Sequence, residues 1–223
     1  MVEIRAVGFD LDGTLFDHAG AARRAVHQFA VGLVSSVPSS VDSLWLTIET
    51  EEFELWRSGQ VSFAEQRRRR LQRFLPHIGA SVPVDDAELD ALFSGYIDAY
   101  RRAWRVFNGT IETLEELRAS DIRIGVLTNG DGTQQRDKLH TLGLLPLVDE
   151  VCISGEIGFS KPDPRAFAGL VASLGVSYAD VVFIGDSESH DVRAARAAGI
   201  RSGLVETGER PDRLARAIQR AHL

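Results

Sequence analysis

Two aspartates separated by one residue stand near the start of the chain, in Phe9-Asp10-Leu11-Asp12-Gly13-Thr14. A carboxylate can attack phosphorus and carry the phosphoryl group as an aspartyl-phosphate. That route needs a second group to hand a proton to the leaving oxygen and later take one from water. Asp12 can serve if the backbone after Asp10 turns away from its strand. Two more aspartates, Asp186 and Asp191, lie far downstream in Gly185-Asp186-Ser187-Glu188-Ser189-His190-Asp191. Gathered in one place, these acids repel one another unless a cation neutralises them. Hard oxygen ligands suit magnesium, which keeps several waters and takes few carboxylates. Such an ion would also offset the charge of a phosphate beside an anionic nucleophile. Thr128, with the amides of Asn129 and Gly130, can hold phosphate oxygens. Lys161 supplies positive charge on a loop stiffened by Pro162 and Pro164.

These residues act together only if the fold gathers them. Apolar runs at 4–9, 122–127, 150–153, 181–184 and 201–205 read as buried strands. Polar residues collect just after them. Helical patterns fall between: Ile111, Leu114 and Leu117 after Thr110 as N-cap; Leu139 and Leu142 before Gly143; Pro164 to Leu174 before Gly175; and an alanine-rich stretch, Val192 to Ala198, before Gly199. Strand–helix alternation predicts a Rossmann-like α/β core, a doubly wound parallel sheet covered on both faces. In such sheets ligands bind outside the carboxyl ends of the strands. Asp10, Asp12, Thr128, Asn129 and Asp186 are therefore expected to converge. The rhythm breaks between the first strand and the rest. Four apolar stripes at helical spacing, separated by Pro38, Gly59, Pro76 to Gly79 and Pro83, predict an all-helical insertion. The expected division is a discontinuous core, 1–16 and 105–223, and a helical domain, 17–104.

Composition narrows the field. Lys and Arg number 25 against 32 Asp and Glu, a net charge of −7, which argues against nonspecific binding to nucleic acid or an anionic membrane. The single cysteine, Cys152, excludes an intrachain disulfide and sits in an apolar run as a small core residue. No signal-peptide layout or membrane-length apolar run is present, so a cytoplasmic protein is expected. The six histidines lack zinc-type spacing. The arginine run 67–70 points around its helix and reads as a solvated face, with one arginine available to a substrate.

Taken singly, each motif has an ordinary structural reading: a capped turn, a surface lysine, a helix-end charge. Together they resemble something specific. Phe9 to Leu15, Leu127-Thr128-Asn129-Gly130, Lys161-Pro162-Asp163-Pro164 and Gly185 to Asp191 are similar, in order, to the four motifs of the haloacid dehalogenase (HAD) superfamily. The position of the helical insertion matches the cap of its subfamily I. The resemblance implies Asp10 as nucleophile and metal ligand. It implies Asp12 as general acid and base, with its main-chain carbonyl on the metal. Thr128 would bind the phosphoryl group with help from the Asn129 amide, and Lys161 would neutralise charge. Asp186 would complete a Mg2+ site, and Asp191 would support it from behind. Dehalogenases of the family lack an acid at the position of Asp12. The resemblance therefore implies a phosphatase acting on a small-molecule phosphate ester. A sugar-phosphate mutase with the same residues, a 2-haloacid dehalogenase and a non-catalytic binding protein are the alternatives. His190 departs from the small polar residue that many relatives carry before the last aspartate.

Overall fold

The computed structural model describes residues 4–206, 208 and 210–222. Met1 to Glu3, part of the stretch without a signal-peptide layout, lie outside the described residues. The chain divides into two compact units, Met1–Asp17 with Arg105–Leu223, and His18–Trp104.

The first unit is built on a five-stranded sheet. Its strands are β1 (Ala6–Phe9), β2 (Arg123–Thr128), β3 (Glu150–Ile153), β4 (Val181–Gly185) and β5 (Arg201–Leu204). All pairings are parallel, and the order is β3-β2-β1-β4-β5. The chain starts in the middle, winds to one edge, then crosses to the other side of β1. The direction of winding thus changes beside β1, the place where open parallel sheets bind ligands, outside the strands' carboxyl ends. β1 and β4 are buried along their whole length, as strands covered on both faces must be.

The helices of this unit are α5 (Thr110–Ala119), α6 (Gly132–Thr141), the single turn α7 (Ser154–Ile157), α8 (Pro164–Leu174), α9 (Arg193–Ala197) and α10 (Arg213–His222). α8 forms because Asp163 caps its first turn, Pro164 presets the backbone, and Gly175 takes the left-handed stop at φ 62°. Its apolar face buries Phe167, Leu170, Val171 and Leu174 against Leu127, Val181 and Phe183. Leu170 reaches the sheet because Gly8 and Gly125 leave room. A Cβ at either would come within 2.7 or 2.6 Å of a Leu170 methyl. Two expectations are adjusted. Thr110 is the first helical residue of α5, not its cap; that place belongs to Gly109, at φ 77°. The alanine-rich helix is shorter than the stretch 192–198 and follows a π-turn, Glu188–Val192. α10 was not foreseen.

The second unit contains α1 (His18–Val31), α2 (Val41–Arg57), α3 (Phe63–Phe74) and α4 (Asp86–Arg102). Its core is aromatic. The fully buried Trp45 packs on Phe74 and Tyr96 at centroid distances of 4.9 and 4.4 Å, and its indole N–H donates to the Tyr96 hydroxyl at 2.9 Å. The arginine run is not the solvated face expected of it. Arg70 is buried, its guanidinium 4.5 Å from the Trp45 ring centre and 2.7 Å from Glu49. Arg68 pairs with Asp86 and Asp90, and Arg69 and Arg73 converge on the fully buried Glu52. α3 is polar in sequence because its partners on α2 and α4 are carboxylates.

Candidate active site

Asp10 follows β1, and its amide donates to the Ile184 carbonyl of β4 at 2.9 Å. That bond fixes its backbone beyond the end of β1, against β4. The next residues curl tightly. Gly13 N–H donates to Phe16, and the amides of Leu15 and Phe16 both donate back to Leu11, so the chain leaves the strand direction within two residues of Asp10. Gly13 sits at φ 92°, and a Cβ there would fall 2.2 Å from an Asp186 carboxylate oxygen. Glycine is required twice over, by backbone and by space.

Asp186 and Asp191 arrive from the end of β4. Carboxylate oxygens of Asp10, Asp186 and Asp191 lie within 4.8 Å of one another. The π-turn places Asp191 there: its Oδ2 accepts from the Ser187 amide at 2.9 Å, and its Oδ1 from Lys161 Nζ at 2.7 Å. Lys161 also reaches Asp10 Oδ1 at 2.5 Å. The lysine loop is fastened to the end of β2 by Asn129. The Asn129 side chain donates to the Lys161 carbonyl at 2.9 Å and accepts from its amide at 2.8 Å. The Lys161–Pro162 peptide is cis. His190 shares hydrogen bonds with the hydroxyls of Ser187 and Ser189 at 3.2 and 3.3 Å.

The charges decide what the cluster can hold. Three carboxylates against one ammonium leave a formal −2, buried at Asp10 and Asp191 and open at Asp186. Burial is the main reason that Asp10 is held well above the usual carboxylate range. Lys161 works against the rise, and Asp191 and Asp186 add to it. Asp186 is pushed up to about 6, by desolvation first and by the charge of Asp191 second. Burial alone would lower Lys161; the charges of Asp10 and Asp191 more than offset that, so it stays a cation. All-oxygen donors with two uncompensated charges fit a divalent cation such as magnesium. They fit a soft metal poorly, because no Cys or His belongs to the group.

Asp12 is separate from this cluster. Its carboxylate accepts from Lys138 Nζ at 2.7 and 2.9 Å and from Gln135 Nε2 at 2.9 Å. Gln135 also donates to Thr128 Oγ1 at 2.7 Å. Neither α6 residue was foreseen from sequence. A lysine and a glutamine three apart read as an ordinary solvent face, and only their contacts with Asp12 and Thr128 show that this face is turned inward. The Gly130 amide, expected to face a phosphate, donates instead to Ser154 Oγ at 2.9 Å. It is drawn aside because α7 packs close: a Cβ on Gly155 would be 2.7 Å from the Gly130 carbonyl. Sequence reading also missed Arg213 of α10. It is buried and donates to the carbonyls of Thr14 and Gly13 at 2.6 and 2.9 Å, with its guanidinium 3.9 Å from the Phe107 ring centre.

A parallel sheet that presents a buried carboxylate, a cluster of acids that could hold a cation, a hydroxyl and a lysine beyond its strand ends fits a hydrolytic site. The model of the haloacid dehalogenase-like hydrolases matches residues 4–199, and the chain belongs to that family. Two curated relatives are similar along much of their length. A phosphoserine phosphatase of Thermus thermophilus is 32% identical over 78% of this chain and 67% of its own. A glyceraldehyde 3-phosphate phosphatase of Methanopyrus kandleri is 29% identical over 94% of this chain and 87% of its own. Among solved structures, the HAD hydrolase YfnB from Bacillus subtilis, bound to magnesium, superposes with a TM-score of 0.79. It covers 99% of this chain and 100% of that one at 19% identity, a likeness of fold.

Proposed function

We propose that this hydrolase cleaves small phosphate monoesters through a phosphoryl group carried on Asp10, with Asp12 moving the proton. The observation that carries the reading is the separation of the two acids. Asp10 lies in the buried cluster against Lys161, whereas Asp12, two residues on, is turned onto α6 with its own lysine. Two carboxylates in different surroundings suit two roles, nucleophile and proton carrier.

Asp10, Asp186 and the Asp12 carbonyl would hold a magnesium ion, with Asp191 steadying the set through Lys161. The bound ion would supply neutralisation of the phosphate and of the attacking carboxylate. Asp10 Oδ attacks phosphorus, the ester P–O bond breaks, and Asp12 gives its proton to the leaving oxygen. The same Asp12, now a carboxylate, takes a proton from the water that frees phosphate and restores Asp10. Lys161 holds charge beside Asp10, and Thr128 and the Asn129 amide hold phosphoryl oxygens. Such chemistry rests on placement and electrostatics.

The helical unit is read as the family's cap, which selects the leaving group. A small phosphorylated metabolite is favoured because relatives act on such compounds. A cytoplasmic location belongs to the same reading; no described helix is long and apolar enough to cross a membrane. Phosphate release from a panel of metabolite esters with magnesium tests the proposal, with Asp10→Asn as the blank. Substitution at Asp10 should reduce turnover by about 10³-fold or more. Undiminished activity in pure Asp10→Asn protein would contradict it.

A further inference from the structure

Helix α6 carries none of the four motifs, yet two of its side chains end on the Asp12 carboxylate. Gln135 and Lys138 are three residues apart, so they share a helix face. Both are 2% exposed, unusual for residue types that lose hydration and rotamer freedom on burial. The ammonium of Lys138 spans both oxygens of Asp12, at 2.7 and 2.9 Å, and lies 5.3 Å from the Phe16 ring centre. Gln135 Nε2 joins Asp12 Oδ2 to Thr128 Oγ1 at 2.9 and 2.7 Å. A carboxylate on a tight turn has several rotamers; three hydrogen bonds from two side chains of one buried helix face leave it one. The same amide fixes the hydroxyl assigned to the phosphoryl group.

We propose that Gln135 and Lys138 are positioning residues, which aim the Asp12 carboxyl group, when it carries the proton, at the leaving oxygen and set its register against Thr128. The inference rests on the phosphatase reading above. Its consequence is selective. Transfer to Asp10 needs a well-aimed proton when the leaving group is a poor one, such as an alkoxide. It needs little help when the leaving group is a stabilised phenolate.

The test compares kcat/KM, which reports steps up to release of the first product, for an alkyl phosphate and for p-nitrophenyl phosphate. Lys138→Met should lower the alkyl value by about 100-fold and the aryl value by only a few-fold, with KM little changed. Lys138→Arg, which keeps a cationic donor, should restore much of the ratio. Equal losses on both esters, or a loss confined to KM, would overturn the proposal. If Lys138→Met does not fold, Gln135→Leu carries the same comparison, since it removes the amide donors and keeps the charge pair. Failure of the underlying reading looks different: wild-type protein would release no phosphate from either ester, or Asp10→Asn would match it.

Discussion

At the scale of single residues, the site is a problem in placing like charges. Asp10, Asp186 and Asp191 are brought together at a cost that Lys161 only partly meets. The protein keeps them close by removing side chains elsewhere. Gly13 has no Cβ because the Asp186 carboxylate occupies that space. Gly13→Ala should displace Asp186, weakening magnesium binding and activity together. Calorimetric titration with magnesium checks this, and unchanged affinity would refute it. The same charges give a pH dependence. With Asp186 raised to about 6, protons compete with the proposed cation for the cluster. Magnesium affinity should weaken as the pH falls through about 6, with Asp186 and Asp10 both taking up protons. Of the site residues, Asp10, Asp12, Thr128, Asn129 and Asp186 were legible because they follow strand ends, whereas Lys161, on a loop after α7, was marked by the resemblance. The partners on α6 were not. Nothing local marks Gln135 or Lys138, and the distance that matters runs to Asp12, 123 and 126 positions away in sequence.

At the scale of elements, β1 and the curl after it do most of the positioning. β1 is central, hydrogen-bonded to β2 and β4, and cannot shift without breaking both ladders. The curl has isolated bridges, Asp12 to Phe16 and Phe16 to Val106, in place of a ladder. It is held further by Arg213 of α10, which caps the carbonyls of Gly13 and Thr14. Arg213→Met should leave those carbonyls short of a partner and destabilise the unit by about 2 kcal/mol. Urea denaturation measures the loss; a change below a few tenths would show that the clamp is not needed. α10 escaped the sequence reading because its buried positions, Leu214, Ala217 and Ala221, are few and small. Its three arginines, with Gln219 before the last of them, conceal that stripe. α8 was easy for the opposite reason, with proline, glycine and five buried apolar residues all in phase.

At the scale of the whole molecule, one chain carries two units with different physical solutions. The sheet unit buries aliphatic strands under α8. The helical unit buries aromatic rings and pays a polar rim of ion pairs around them. Glu52 shows how that rim depends on pH. Burial raises its carboxyl, but hydrogen bonds from Arg69 and Arg73 prevail, and its pKa is lowered. A lowered folded-state value means that Glu52 contributes stability above its unfolded pKa. That contribution is lost as the pH falls through the folded one. Melting of the helical unit should therefore shift downward in acid, and less so in Glu52→Gln. Because both arginines are partly exposed, the cost of Glu52→Gln at neutral pH should be about 1–2 kcal/mol. The existence of a separate helical unit could be read from periodicity. The arginine pairing could not, since a run of four like charges carries no sign of acids 17 to 22 residues off in sequence.

The central claim is that Asp10 carries the phosphoryl group. The direct measurement mixes protein, magnesium and p-nitrophenyl phosphate, quenches within a turnover, reduces with borohydride and sequences the peptides by mass spectrometry. An aspartyl-phosphate is reduced to homoserine, so homoserine at position 10 and at no other aspartate is the predicted result. A burst of p-nitrophenol with Asp10 left intact, or homoserine at Asp12, Asp186 or Asp191 instead, would contradict the account.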